Sequence, residues 1–193
     1  MKKYLALLLV MALSLTAILG LAPIASAEGE VVTPSQDIAY FNVSIKVGAR
    51  LLYAVPADGY TVNQDGTVDG LQLLVWEDDE AAAVALEAQG MQVIGDNSYV
   101  IFSYNEIAAS EMSKVVYAKV AYTVDGETAY GETYDYSVAE FAYDYFNKEG
   151  AAHVDLVEAL ITYGYYAAIY AGGSSYTVDQ IRNEGATLFG GEA

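Results

Sequence analysis

The chain has 193 residues, 8 basic against 26 acidic side chains, a formal net charge of −18 and 54% hydrophobic residues. So acidic a surface repels nucleic acid and anionic membranes alike, which disfavours both as partners and leaves cations or basic surfaces open. The sequence contains no cysteine, which excludes thiol catalysis, zinc–thiolate sites and a lipid-modified N-terminal cysteine, and leaves stability to the core.

Residues 1–27 read as an export signal. Lys2 and Lys3 precede an apolar run, Tyr4 to Leu21, broken only by Ser14, Thr16 and Gly20. Pro23 then breaks the helix, and Ala25-Ser26-Ala27 forms a small-x-small cleavage site. This is the layout of a secretory signal peptide. The alternative is an uncleaved anchor, because a spanning helix needs ~20 apolar residues. The triplet and the lack of a stop-transfer cluster after it favour cleavage before Glu28. Roughly 166 residues then remain, enough for one domain with a real core. Both leader charges are basic, so the mature charge becomes roughly −20. The 18 tyrosines and 5 phenylalanines, with many valines, argue against disorder in most of that remainder.

Residues 28–36 are polar, contain Pro34 and read as a flexible start. From Phe41 to Val47 apolar and polar residues alternate, the period-2 mark of a half-buried strand. Leu51 to Val55 reads as a second strand, stopped by Pro56. Asp58-Gly59 and Asn63 to Gly70 carry turn chemistry. Leu71 to Trp76 is a strongly apolar strand. Glu77 to Glu80 is acidic and opens the Ala-rich run Ala81 to Gln89. Acids in a first turn and Gly90 past the end predict a short helix there. Met91 to Ile94 and Tyr99 to Tyr104 read as strands. Lys114 to Val124 and Glu127 to Tyr136 flank Asp125-Gly126, a two-residue hairpin signal for a type I′ turn.

The period then becomes helical. Ser137-Val138-Ala139-Glu140 is a capping box opening a helix towards Asn147. A second helix is predicted from about His153 to Ala171, with Leu156, Leu160, Gly164 and Ala167/Ala168 along one face. Its small residues Gly164, Ala168 and Gly172 recur every fourth position and would let another element approach closely. Residues 174–193 read as a polar tail, in which Thr177 to Gln180 could cap one more short helix. The expected organisation is therefore a leader over 1–27, a flexible segment over 28–36, a strand-rich body over 37–136, a helical pair over 137–173 and a tail over 174–193.

The stretch Ile107-Ala108-Ala109-Ser110-Glu111-Met112-Ser113-Lys114-Val115-Val116-Tyr117-Ala118-Lys119 opens a distinctive order of segments. It continues through the Asp-Gly hairpin, Tyr130-Gly131-Glu132, Tyr136-Ser137-Val138, Phe141-Ala142-Tyr143 and Leu156 to Gly164. Upstream, Leu51 to Pro56 and Asp69 to Trp76 belong to the same pattern. Across roughly Asp37 to Ala171 the chain resembles a module recurring in large secreted and surface proteins of clostridia and related gut Firmicutes. The resemblance implies an immunoglobulin-like antiparallel β-sandwich packed with a C-terminal helical pair. It implies no activity. The chain departs from the module where Tyr165, Tyr166 and Tyr170 replace the small residues and Gln that usually close its second helix.

Candidate chemistry is sparse. Glu77-Asp78-Asp79-Glu80 is the densest carboxylate cluster, and Ca²⁺ takes several oxygen ligands. Consecutive helical residues do not converge on one point, so an acidic helix start is the preferred reading. Asp65 to Gly70 imitates an EF-hand opening, but Trp76 stands where the bidentate Glu belongs, so a turn is expected. His153 is the single histidine, no Gly-x-Ser-x-Gly elbow exists, and a solvated helix start suits it. With so many acids a close carboxylate pair is uninformative about glycosidase chemistry. No catalytic residue, cofactor or metal ligand is assigned.

The tyrosine excess is more informative, since Tyr offers an apolar body and a hydroxyl to sugar rings or proteins. Tyr130, Tyr134 and Tyr136 share strand parity and are expected on one face of the hairpin's second arm. The alternative places them in the core or in cross-strand pairs. The expected function is a secreted, non-catalytic structural or adhesive module at the bacterial surface or in its surroundings, with a protein or glycan partner. The alternative is a carbohydrate-binding module using exposed tyrosines. After cleavage of the leader no membrane association is expected.

Overall fold

Residues 34–45 and 49–190 are described in a computed structural model. The export signal with its cleavage site, most of the flexible start, the end of the first predicted strand at Lys46 and Val47, and the final Gly191-Glu192-Ala193 lie outside the described residues. The strands are β1 Tyr40–Ile45, β2 Ala49–Pro56, β3 Leu71–Trp76, β4 Val84–Glu87, β5 Gly90–Ile94, β6 Asn97–Ile107, β7 Val116–Val124, β8 Glu127–Tyr130 and β9 Tyr134–Tyr136. After them come α1 Val138–Phe146, α2 Val154–Tyr170 and α3 Val178–Leu188.

The strands pair antiparallel into two sheets, β1-β2-β6-β5 and β4-β3-β7-β8, with β9 also on β7. This is the order A-B-E-D facing C′-C-F-G of an immunoglobulin-like sandwich. The expected β-sandwich with C-terminal helices is the fold.

Alternation sets the inner faces. Leu51, Tyr53 and Val55 of β2 meet Val100 and Phe102 of β6 on one side, and Leu73, Val75, Ala118 and Val120 close the core from the other. One residue of slip would turn each of these sets to solvent. At the hairpin, Asp125 and Gly126 take φ of 52° and 83°, and Val124 pairs with Glu127, the positive pair of φ values that a type I′ turn needs.

The helices close one end of the sandwich rather than standing apart. A single apolar cluster runs from the sheets through Val138, Phe141 and Tyr145 of α1 and Val157, Leu160 and Ile161 of α2 to Ile181 of α3. Ser137 Oγ accepts the Glu140 amide at 3.0 Å, the N-terminal bond that the sequence pattern requires. Gly164 faces a 3-10 turn at Ala109–Glu111 and the adjoining Met112. The predicted close approach is therefore real, and Ala168 is buried on the same face. Gly172 is different: it has open space and a φ of 80°, so it ends the helix rather than packing.

Two expectations are corrected. Ala81 to Gln89 is not a helix. One 3-10 turn, Glu80–Ala82, gives way to β4, whose Val84 to Glu87 pairs with Val75 to Gln72. Pairing the open edge of β3 outweighs the helix preference of a few alanines. Of the acids that suggested a helix start, Glu77, Asp78 and Glu80 are answered by lysines, and Asp79 caps only the short 3-10 turn. Residues 174–190 are not simply a polar tail either. Thr177 and Gln180 form a complete capping box, and α3 docks with Ile181 fully buried. The C-terminal part is thus three helices, not a pair.

Candidate functional site

The acidic segment lines an open cleft of about 390 Å³ together with Trp76, Val84 and Tyr104 among others. Its carboxylates are already engaged. Lys114 pairs with Glu77 and, at 3.1 Å, with Asp78. Tyr104 donates to Glu77 at 3.3 Å. Asp79 accepts the Ala81 amide at 3.0 Å, and Glu80 pairs with Lys119. Bonds to Glu77 and then Asp78 hold the Lys114 ammonium above its ordinary range. Among the described residues no group of three or more His, Cys, Asp or Glu side chains is placed to hold a metal ion.

Behind this segment, on the outer face of the second sheet, Trp76 and Tyr117 stack at 5.9 Å with 17° between planes. The Lys119 ammonium sits 5.7 Å from the Trp76 ring and 4.9 Å from that of Tyr130. Cation–π attraction fixes Tyr130 there. Trp76 is buried, so this arrangement packs across β3, β7 and β8 instead of presenting a flat platform.

Tyr130, Tyr134 and Tyr136 do not share a face. The second arm breaks at Gly131 to Thr133, and the ladder resumes with shifted parity. Tyr130 opposes Ala121, whereas Tyr134 and Tyr136 oppose Ala118 and Val116. Tyr130 is therefore 56% exposed on the outer face, while Tyr136 is 9% exposed and packs on Phe41 at 5.1 Å. Tyr134 packs on the same Phe41 ring at 5.8 Å. The cause lies in Gly131, whose place a Cβ could not share: it would lie 2.0 Å from the Gln36 carbonyl oxygen. The chain leaves the ladder to pass Gln36.

The remaining candidates sit apart from this edge. Asp65 Oδ1 accepts from the Thr67 amide at 3.1 Å and the Thr67 hydroxyl at 2.6 Å, a closed Asx turn. Its carboxyl is held below its ordinary range, chiefly by the Thr67 hydroxyl. His153 is exposed and takes φ 58° at the start of α2, without a side-chain capping bond. On α1, burial and then the neighbouring Asp144 and Asp135 push the Glu140 carboxyl up to about 8, opposed by the Ser137 amide. Burial also raises Asp144, whose Oδ2 accepts from the Tyr136 hydroxyl at 3.1 Å.

The surface that stands out is one the strand reasoning passed over. Residues 157, 160, 161, 164 and 168 of α2 are buried, and the opposite flank carries Leu156, Ala159, Tyr163, Tyr166 and Tyr170. These five follow a 3-4-3-4 spacing, the a/d seam of a coiled coil. Leu156 is 54%, Tyr163 64%, Tyr166 65% and Tyr170 96% exposed. No Asp, Glu, Lys or Arg occurs between Glu158 and Asp179. The signal was present in the sequence as Leu156, Tyr163 and Tyr170 at intervals of seven.

No family model, curated protein or solved structure matches the chain. Among the described residues no helix is long and apolar enough to cross a membrane.

Proposed function

We propose that this chain is a non-catalytic structural or adhesive module acting outside the cell, at a bacterial surface or in its surroundings, and that it holds its partner through the outer flank of α2. The observation that carries this reading is the exposed, uncharged seam Leu156, Ala159, Tyr163, Tyr166 and Tyr170 on an otherwise strongly acidic chain. Tyrosine supplies large, amphipathic contact area at small entropic cost, which is why it is enriched at interfaces. Export rests on the leader at Met1 to Ala27, and the resemblance to a module of secreted and surface proteins supports the same location. The test is retention of the exported protein on its host surface. Tyr163→Glu with Tyr166→Glu should release it to the medium without changing its thermal midpoint. Undiminished retention of a folded double variant would refute the α2 site. Reproducible turnover in a screen of glycan, peptide and ester substrates, lost on changing one acid or His153, would refute the non-catalytic reading.

Carbohydrate binding is the second reading, and it moves away from Tyr134 and Tyr136. Tyr163, Tyr166 and Tyr170 offer the exposed rings that stacking on sugars requires. A glycan array with the wild type and the same double variant separates a sugar from a protein partner.

A further inference from the structure

We propose that the occupant of the α2 seam is a second copy of this chain, packed as an antiparallel helix pair around a two-fold axis near Tyr163. This rests on the reading of the seam as the docking face and names its partner. Three observations select a second copy.

The first is charge. Two exported copies carrying roughly −20 each repel over most of their surfaces, and a close contact is best tolerated where charge is absent. The run from Ala159 to Val178, without one ionisable Asp, Glu, Lys or Arg, is the longest such stretch after β1 and supplies such a place on an exposed helix flank. A basic partner would instead be drawn to the acids elsewhere and would gain nothing from this face.

The second is direction. Asp155 lies at the N-terminal end of α2, Glu158 is neutralised by its ion pair with Arg182 of α3, and the C-terminal end is uncharged. A parallel pair would set Asp155 against its own copy. An antiparallel pair about Tyr163 separates the two Asp155 residues by roughly 24 Å along the axis, about three Debye lengths at physiological salt. It also opposes the helix dipoles, so each acidic start lies beside an uncharged end.

The third is shape and size. The same axis puts Leu156 of one copy beside Tyr170 of the other, Tyr163 beside Tyr163, and the small Ala159 near Tyr166, so one large ring on each side meets a small residue. A closed two-fold contact of this kind uses one self-complementary patch. With the exposures of Tyr163, Tyr166, Tyr170 and Leu156, the seam offers roughly 600 Å² per copy. About 1,200 Å² in total is the lower end of specific interfaces. A contact of at most this size points to a weak, reversible dimer, and a dissociation constant on the order of 10–100 µM is expected, lowered by salt.

Sedimentation of the exported protein across that concentration range tests it. A monomer–dimer equilibrium is expected, weakened at least about tenfold by Tyr163→Glu, with the circular dichroism of the fold unchanged. The chain has no cysteine of its own, so introduced thiols report geometry cleanly. On mild oxidation Tyr163→Cys should cross-link with itself. Leu156→Cys should not, but should cross-link when mixed with Tyr170→Cys. Self-linking of Leu156→Cys without the mixed product would overturn the antiparallel arrangement. A monomer at every concentration up to roughly 1 mM would overturn the dimer. The docking face itself fails only if surface retention also survives Tyr163→Glu with Tyr166→Glu, so the two outcomes are read separately.

Discussion

Replacing Gly164 tests how the helices are fixed to the sandwich. An added Cβ would lie 2.7 Å from Met112 Sδ and 3.2 Å from both Met112 Cβ and the Ala109 carbonyl oxygen. Carbon contacts relax at about 3.5–4.0 Å. The sulfur can swing aside, but Met112 is itself buried, and the carbonyl belongs to the backbone. Gly164→Leu gains about 1 kcal/mol of helix propensity and loses about 1–3 kcal/mol or more to overpacking. The side chain extends beyond Cβ into the turn, so the upper end applies and the net loss is about 2 kcal/mol. For a chain of this size the midpoint should fall by about 4–8 °C. Thermal unfolding measures it, and a cycle with Met112→Ala assigns the cause. Met112→Ala alone should cost about 2–5 kcal/mol through the cavity it leaves. In that background Gly164→Leu should cost less, because its side chain enters the vacated space. An unchanged midpoint for Gly164→Leu, or effects that add within about 0.5 kcal/mol, would refute the proposed contact.

Other substitutions probe other parts. Tyr53 is fully buried, and among the described residues its hydroxyl has no hydrogen-bond partner; Tyr53→Phe should raise stability by about 1 kcal/mol in denaturant unfolding, and a loss of that size would reveal a partner. Glu140 ionises near its ordinary 4.5 when unfolded but near 8 when folded, so the native state holds the extra proton and stability should fall as pH rises through that window. Being partly exposed, the group should contribute about 1–2 kcal/mol after solvent screening, and Glu140→Gln should flatten the slope; Asp144, also raised, acts with the same sign. A Cβ on Gly185 would lie 2.1 Å from the Tyr143 ring, so Gly185→Ala should speed amide exchange in α3 while leaving β3 and β7 protected. Mass spectrometry of the exported protein should show Glu28 at the N-terminus, and a chain retaining Leu5 to Leu21 would refute processing.

The strands were legible wherever alternation and turn chemistry agreed. β3, β6 and β7 carry apolar residues at every second position, and Asp125-Gly126 leaves one turn type open. β4 was not legible, because only the short Val84 to Glu87 pairs within the Ala-rich run, and its fate depends on an edge of β3 that no local signal describes. Gly131 misled the parity argument for the same kind of reason. Its close approach to Gln36 joins residues far apart in sequence, and no local pattern announces it. α3 was half legible: Thr177 and Gln180 announce a cap, but that the helix docks is visible only in the buried Ile181 and in Tyr143 seated on Gly185.

The seam on α2 was the hardest feature to read, although its residues are plain in the sequence. The helix carries two apolar stripes, one through Val157, Leu160, Ile161, Gly164 and Ala168, the other through Leu156, Ala159, Tyr163, Tyr166 and Tyr170. Periodicity alone does not say which is buried, since both satisfy a helical repeat. Residue size decides it. The stripe containing Gly164 and Ala168 can approach the Ala109–Glu111 turn closely, whereas a row of tyrosines would hold it away. Sequestering the first stripe commits the second to water. Exposed tyrosines then cost solubility, and the high negative charge elsewhere compensates by keeping other surfaces apart. The same charge that keeps the chain dispersed thus disfavours close association wherever it is present and leaves the flank of α2 without that penalty.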